Sequence, residues 1–255
     1  MSPSPLYLLF PKKCVFCEKA LDMGAPICIC GGCAALLPYY AGEYLFESGG
    51  ASAANINGDA KLANISGGAK LANADSAASV SNAAKYCDRI VCALIYTGFV
   101  KSAVSKYKFY DRRDFGITFA ALLCEKIASV GAPRGFDLAA CVPLSRARMR
   151  ERGYNQAAII ARYAADYFGV PFERGLLVRD EHALRQSTLR RGERRRNVQS
   201  AFWTDETRRD KCRLAGARVL LIDDVATSMS TLNACAAALK ASGAADVTGA
   251  VLAAP

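Results

Sequence analysis

Two adjacent carboxylates, Asp223 and Asp224, follow an apolar run that is typical of a buried strand. Four hydroxyl residues come directly after them and lead into an alanine-rich helical pattern; they are Thr227, Ser228, Ser230 and Thr231. A loop that enters a helix offers unpaired N–H groups and the positive end of the helix dipole to a phosphate. Carboxylates do not favour a phosphate, so they would serve sugar hydroxyls or a divalent metal beside it. The arrangement predicts a site for a sugar phosphate such as ribose 5-phosphate, and the alternative is a plain helix cap with Asp224 at the surface.

Four cysteines form two C-x-x-C pairs near the N-terminus, Cys14 with Cys17 and Cys30 with Cys33. Each short turn points two sulfurs toward one centre, so the four thiolates can converge tetrahedrally on Zn²⁺. Cys28 could replace Cys30, although its spacing to Cys33 fits such a turn less well. A Cys₄ site with no open position is structural, and we assign it no catalysis.

The composition limits the class of protein. The chain has 255 residues, of which 52% are hydrophobic, and this is enough for one ordinary domain plus a small module. The formal charge of +10 favours phosphorylated ligands, nucleic acid or an anionic surface. The N-terminus lacks the features of a signal peptide, and no run reaches the roughly 18 apolar residues that a membrane span needs. We expect a cytoplasmic protein, in which eleven cysteines indicate metal ligation and free thiols rather than disulfides.

Short apolar runs alternate with helical patterns along most of the chain. Strands are predicted at 89–96, 136–142, 216–222 and 246–252, and helices near 99–109, 113–130, 153–168 and 230–242. Strands that are buried on both faces and separated by helices indicate an open, mostly parallel α/β sheet. Ligands bind such sheets at the carboxyl ends of the strands, so the loops after the strands are the candidate site.

Three segments differ in composition. Residues 1–46 hold the cysteine pairs and are predicted to form a zinc-ribbon module. Residues 47–85 are rich in Gly, Ala, Ser and Asn, contain the unit Ala-Lys-Leu-Ala-Asn twice, and are expected to be a flexible low-complexity insertion. Residues 86–255 carry the strand and helix patterns and form the main domain.

The segment 219–232 is similar to the phosphoribosyl-diphosphate (PRPP) signature of type I phosphoribosyltransferases. Further motifs follow the pattern of the ComF family in the expected order, namely 141–144, 152–157, Gln186, 196–198 and 201–202. That family also carries an N-terminal cysteine zinc module. The sequence thus resembles the ComF family over nearly the whole chain outside 47–85.

The resemblance implies an open sheet of the type I phosphoribosyltransferase type, preceded by a small Cys₄ zinc ribbon. Asp223 and Asp224 would be the catalytic pair that receives the ribose hydroxyls, and the four hydroxyl residues after them would bind the rest of PRPP. The pyrophosphate and substrate loop would include Ser145, Arg146, Arg152, Asn155 and Gln156. Mg²⁺ would accompany PRPP, and phosphoribosyl would pass to an unknown acceptor with release of pyrophosphate. Such chemistry needs no covalent nucleophile, because positioning and charge stabilisation supply most of the catalysis.

A second function is a non-enzymatic one. ComF proteins are associated with DNA uptake in natural competence, so the chain could be an accessory that binds single-stranded nucleic acid or a protein partner. Two arginine clusters, at 146–152 and 185–196, suit phosphate oxygens of either ligand, or they form a solvated basic face. Tyr154 adjoins the first cluster, and Phe202 with Trp203 follows the second.

Met229 departs from the PRPP signature at a position that usually holds glycine. Glycine would allow a positive φ and close approach of the backbone to the phosphate. A methionine Cβ resists that conformation, and its side chain would take up space near the anion. We therefore expect weaker PRPP binding than in a Met229→Gly variant, and Met229 weakens the case for transferase activity.

Overall fold

The computed structural model describes residues 12–22, 27–42, 46–47, 86–131, 135–180, 201–227 and 229–255, with backbone alone for 46–47. The predictions for Ser228, for Gln186, for the arginine cluster 185–196 and for most of the insertion 47–85 concern residues outside these ranges.

The main sheet has five strands and is mostly parallel. The strands of the chain are β1 (Phe46–Glu47), β2 (Arg89–Ile95), β3 (Leu138–Cys141), β4 (Leu177–Arg179), β5 (Phe202–Thr204), β6 (Arg218–Val225) and β7 (Asp246–Ala254). The order in the main sheet is β1-β2-β7-β6-β3, and only the edge strand β1 is antiparallel to its neighbour. Strands β4 and β5 form a separate antiparallel pair. The predicted open, mostly parallel α/β sheet is confirmed.

Seven helices surround the strands in the described part of the chain. They are α1 (Gly31–Ala35), α2 (Gly98–Phe109), α3 (Phe115–Ser129), α4 (Arg146–Arg152), α5 (Gln156–Phe168), α6 (Glu206–Lys211) and α7 (Ser230–Ala241). Among these described helices there is none whose length and apolar character would suffice to cross a membrane.

The sheet separates two hydrophobic cores. Alternate side chains of a strand point to opposite faces, so Leu220 and Ile222 of β6 enter one core and Val219 and Leu221 enter the other. We call the core with α2, α3 and α5 the first core and the core with α7 the second core. Because both faces are covered, the strands are continuous apolar runs, and these runs allowed their prediction from the sequence.

The N-terminal cysteine segment packs on the first core. Cys14 and Val15 are fully buried, and the ring of Phe16 meets Phe99 of α2 edge to face with centroids 5.3 Å apart. Glu18 also forms an ion pair with Lys106 of α2. The segment is therefore part of the packed structure and contacts α2 along two turns.

The structure corrects two boundaries near the candidate site. The strand predicted to end at Ile222 continues to Val225, because Asp223 and Val225 pair with Val251 and Ala253 of the long strand β7. The helix predicted at 153–168 begins at Gln156, and a second helix, α4, precedes it. Gly153, at φ 73°, ends α4 and separates the two.

Met229 adopts the conformation that glycine would favour, and its side chain does not lie over the loop. Its backbone is left-handed, with φ 56° and ψ −5°, at the residue before α7. The side chain is only 3% exposed and belongs to the second core. The expectation that this side chain takes up space near an anion is wrong, because the side chain is buried in the second core. Its burial also offsets the strain of the left-handed backbone.

Two substitutions at Met229 separate packing from backbone strain. Met229→Ala removes the buried side chain and keeps the strain, so we expect a loss of about 2–5 kcal/mol in the free energy of unfolding. Met229→Gly removes the same atoms and relieves roughly 1 kcal/mol of left-handed strain, so it should be less destabilised than the alanine variant. Urea unfolding measures both. A glycine variant more stable than the wild type would contradict the packing of Met229.

Candidate functional site

The carboxyl ends of β3 and β6 lie side by side. These strands are parallel neighbours, and Cys141, the last residue of β3, pairs with Ile222 of β6. The acidic pair Asp223 and Asp224 therefore lies beside the segment 142–145 that leaves β3. The structure thus brings the predicted ribose loop and the predicted pyrophosphate loop to the same edge of the sheet, where ligands of such sheets bind.

The acidic pair is largely buried at the end of β6. Asp224 is 7% exposed, and its Oδ1 accepts a hydrogen bond of 2.6 Å from the N–H of Val225. Asp223 Oδ1 accepts one of 2.8 Å from the N–H of Asp224. Burial, and then repulsion from the charge of Asp224, raises the pKa of Asp223 to about 7. At neutral pH the Asp223 carboxyl group can therefore either accept or donate a hydrogen bond to a ligand hydroxyl.

Several groups surround Asp223 and influence its charge. Lys108 and Arg148 oppose the rise in its pKa, although burial and Asp224 outweigh them. Burial, and then the charge of Asp223, raises the pKa of the Cys141 thiol to about 12, and the same two causes raise the pKa of Cys235 in α7. The carboxyl group of Asp223 is therefore close to β3 and to α7.

Asp224 has a cationic partner that the sequence analysis missed. Lys108, in the last turn of α2, places its Nζ 3.0 Å from Asp224 Oδ1. The two side chains are only 15% and 10% exposed, so solvent screens the pair weakly. The pairing joins residues more than a hundred positions apart, and no local pattern in the sequence signals it.

The hydroxyl residues after the acidic pair lie around the start of α7. Thr227 is exposed, and Ser230 and Thr231 are partly exposed in the first turn of the helix. Because the side chain of Met229 points into the second core, these three residues border the loop without it. The geometry is compatible with binding of an anion by hydroxyl groups and by backbone N–H groups.

The residues predicted for the pyrophosphate loop fall into two groups. Ser145 and Arg146 begin α4 near the surface, and Ser145 Oγ caps the helix by accepting a hydrogen bond of 3.2 Å from the N–H of Arg148. Asn155 is 9% exposed and has internal partners. Its Nδ2 donates to the Val142 carbonyl over 2.9 Å, and its Oδ1 caps α5. Asn155 therefore holds the end of β3 against the start of α5.

Gln156 and Arg152 contact each other. Gln156 is fully buried, and its Oε1 accepts a hydrogen bond of 3.1 Å from Arg152 Nη1. The Arg152 guanidinium also lies over the ring of Phe109, 5.1 Å from its centroid. These contacts position α4 against α2 and α5.

Two tyrosines fix α2 to the start of α5. The Tyr107 hydroxyl donates to the Gln156 carbonyl over 2.9 Å, and the Tyr154 hydroxyl donates to the Tyr107 carbonyl. Their rings also pack edge to face, 5.7 Å apart. Because Lys108 follows Tyr107 in the chain, these bonds hold the backbone of Lys108 beside the acidic pair.

Exposed aromatic side chains adjoin the first arginine cluster. Phe109 is 54% exposed and Tyr110 is 72% exposed, at the end of α2. Tyr154, which the sequence placed beside this cluster, is buried, and Arg113 covers its ring. Stacking on a ligand at this surface would therefore involve Phe109 and Tyr110.

The four predicted cysteine ligands converge. The sulfurs of Cys14, Cys17, Cys30 and Cys33 all lie within 4.8 Å of one another, and the group can hold a metal ion. The Cys17 and Cys30 sulfurs are 3.6 Å apart. This separation fits tetrahedral zinc, because Zn–S bonds of about 2.3 Å place two sulfurs about 3.8 Å apart.

The surroundings favour the thiolate of Cys14, whereas burial, and then the neighbouring thiols, raise the pKa of Cys33. Burial would raise the pKa of Cys14, but the N–H groups of Cys17, Cys30 and Phe16 outweigh it and lower the pKa to about 7. Cys28 is not a member of the cluster; its backbone N–H donates to Thr118 Oγ1 in α3.

No protein-family model matches the sequence. Among curated proteins, the chain is 28% identical over 162 residues to DNA utilization protein YhgH of Salmonella typhi, which covers 62% of this chain and 69% of that protein. It is also 28% identical over 149 residues to competence protein F of Haemophilus influenzae, which covers 57% of this chain and 64% of that protein.

One solved structure with partial similarity is glutamine PRPP amidotransferase from B. subtilis, complexed with ADP and GMP. The TM-score is 0.38 and the identity 16%, over 58% of this chain and 30% of that chain. At this TM-score the two folds are not shown to be the same. The sequence relatives confirm the resemblance described above, since the chain is similar to competence protein F and to YhgH over more than half of its length.

Proposed function

We propose that the chain binds PRPP with Mg²⁺ at the edge formed by the ends of β3 and β6, and transfers phosphoribosyl to an acceptor with release of pyrophosphate. The observation that carries this proposal is the position of the acidic pair, which lies beside the loop after β3 and before the hydroxyl-rich start of α7. The names of the sequence relatives state no substrate, so the proposal depends on the geometry of the site.

Each part of PRPP has a partner in this proposal. Asp223 and Asp224 accept hydrogen bonds from the two ribose hydroxyls. The loop of Thr227, Ser228, Ser230 and Thr231 binds the 5-phosphate, and Ser145 and Arg146 face the pyrophosphate. Arg152, Asn155 and Gln156 support that loop from within. Departure of pyrophosphate leaves positive charge on the ribose, which the carboxylate of Asp224 stabilises.

Mg²⁺ enters this proposal as part of the Mg–PRPP substrate. The acidic pair does not offer a fitting site for a resident metal, because Lys108 already occupies Asp224 Oδ1. No step of the proposed reaction therefore depends on a metal held by the protein alone.

We further propose that the Cys₄ cluster holds one structural Zn²⁺ and that the protein is cytoplasmic. Cys14, Cys17, Cys30 and Cys33 would bind the metal as thiolates, and the reducing conditions of the cytoplasm favour this state. Zinc would fix the fold of the segment that packs on α2 through Phe16. The boundaries 1–46, 47–85 and 86–255 complete the proposed organisation.

A second candidate function is binding of single-stranded nucleic acid. The observation that favours it is the pair of exposed aromatic residues, Phe109 and Tyr110, beside the arginine cluster of α4. Bases stack on exposed aromatic rings, and arginines bind the phosphates between them. A non-enzymatic accessory with this surface would bind DNA without using the acidic pair.

Substitution of the acidic pair tests PRPP binding. For the wild type, we expect Mg–PRPP at a hundred times its Kd to stabilise the fold by about 2.7 kcal/mol, measured as a rise in Tm. Asp223→Asn with Asp224→Asn should reduce the affinity at least tenfold, because amides are weaker acceptors for the ribose hydroxyls. Asp166→Asn is the matched control, since that carboxylate is 65% exposed on α5.

The same samples separate the two functions. A wild type that shows no rise in Tm with Mg–PRPP, but binds single-stranded DNA with a steep dependence on salt, would reject the first proposal. Pyrophosphate release from PRPP with a panel of acceptors distinguishes transfer from binding alone.

Metal analysis tests the zinc proposal. We expect one Zn²⁺ per chain in freshly purified, reduced protein, and loss of that metal with a lower Tm in Cys17→Ser and Cys33→Ser. Cys28→Ser should retain the zinc, because Cys28 is outside the cluster. Freshly purified, reduced wild-type protein that is folded and contains no zinc would contradict the proposal.

A further inference from the structure

Lys108 gives the acidic pair a cation of its own. Its Nζ lies 3.0 Å from Asp224 Oδ1, and both side chains are mostly shielded from solvent. Asp224 Oδ1 also accepts the hydrogen bond from the N–H of Val225. This oxygen therefore already has two donors, which is as many as its lone pairs accept readily.

We propose that Lys108 is a specificity-determining residue, which closes the acidic pair to free divalent cations and leaves it open to ligands that bring hydroxyl groups. The proposal deepens the proposed function, since it concerns the same site. It assigns Lys108 the position that a metal ion would otherwise take beside Asp224.

The physical reason is competition for the same charge. Two neighbouring carboxylates with no counter-ion attract a divalent cation strongly in a weakly screened environment. Mg²⁺ and Mn²⁺ need several oxygen ligands and lose their water reluctantly. With the ammonium group in place, an incoming metal ion must first displace Lys108 from Asp224. The attraction between the metal ion and the carboxylates is then reduced by the lost attraction between Lys108 and Asp224.

The backbone of Lys108 is held so that the ammonium group stays near Asp224. Tyr107, the preceding residue, is fully buried and donates to the Gln156 carbonyl, while its own carbonyl accepts from Tyr154. Two residues earlier, Lys106 is paired with Glu18 of the cysteine segment. The two hydrogen bonds of Tyr107 therefore hold the backbone next to Lys108, and the more exposed pair of Lys106 with Glu18 contributes little.

Neutral hydroxyl groups do not meet this obstacle. A ribose hydroxyl donates one hydrogen bond to a carboxylate oxygen and does not compete for the charge of Asp224. The second oxygen of Asp224 and the carboxyl group of Asp223 can accept such bonds while Lys108 stays in place. The ammonium group also adds positive charge beside an anionic ligand, which suits a phosphorylated sugar.

Binding of Mn²⁺ alone, followed by electron paramagnetic resonance on the zinc-loaded protein, tests the proposal. We expect the wild type to bind Mn²⁺ no more tightly than Asp224→Asn does. Lys108→Met should create a site at least tenfold tighter, and Lys108→Met with Asp224→Asn should lose it. Lys106→Met is the matched control, because this lysine lies on the same helix and pairs with Glu18 instead.

Lys108→Gln is the second neutral variant, since its amide can still donate to Asp224 and so preserves the local packing if Lys108→Met does not fold. The proposal is overturned if the neutral variants that fold bind Mn²⁺ no more tightly than the wild type does. Binding of Mg–PRPP to the wild type is a separate measurement. Exclusion of Mn²⁺ without PRPP binding would reject the proposed function and leave the role of Lys108 intact.

Discussion

The ion pair between Lys108 and Asp224 is the contact on which the arrangement of the candidate site depends. A carboxylate at the end of a buried strand loses much of its hydration, so its charge requires a partner. Helix α2 supplies that partner from its last turn, and the tyrosine bonds to α5 fix this turn in position. The cysteine segment packs on the opposite end of the same helix through Phe16 and Phe99. A single helix thus connects the cysteine cluster to the acidic pair.

The strands could be predicted from the sequence because the sheet is covered on both faces. Each run at 89–96, 136–142, 216–222 and 246–252 corresponds to a strand, and the errors lie at the ends. Strand β6 extends over Asp223 and Asp224 because β7 is long enough to pair with them, and polarity alone does not indicate this. The antiparallel pair of β4 and β5 was not predicted, since strands of three residues carry too little periodicity.

The candidate site was predictable where one segment carries the pattern and not where distant segments meet. The acidic pair, the hydroxyl loop and the cysteine pairs are local patterns, and the described members of each lie together. Helix α4 lacks an apolar face, although Ser145 before it and Gly153 after it are ordinary end signals. An Asn-Gln pair at a helix start fits a ligand or a cap equally well, and only the structure shows the internal bonds of Asn155 and Gln156.

The edge strand β1 has a consequence for how the length of this chain can vary. Glu47 pairs with Arg89 of β2, and the N–H of Tyr86 donates to Asn233 of α7, so both ends of segment 48–85 are anchored to the main domain. The pairing of Glu47 and the hydrogen bond of Tyr86 are made by residues outside 48–85, so a change in the length of that segment removes neither contact.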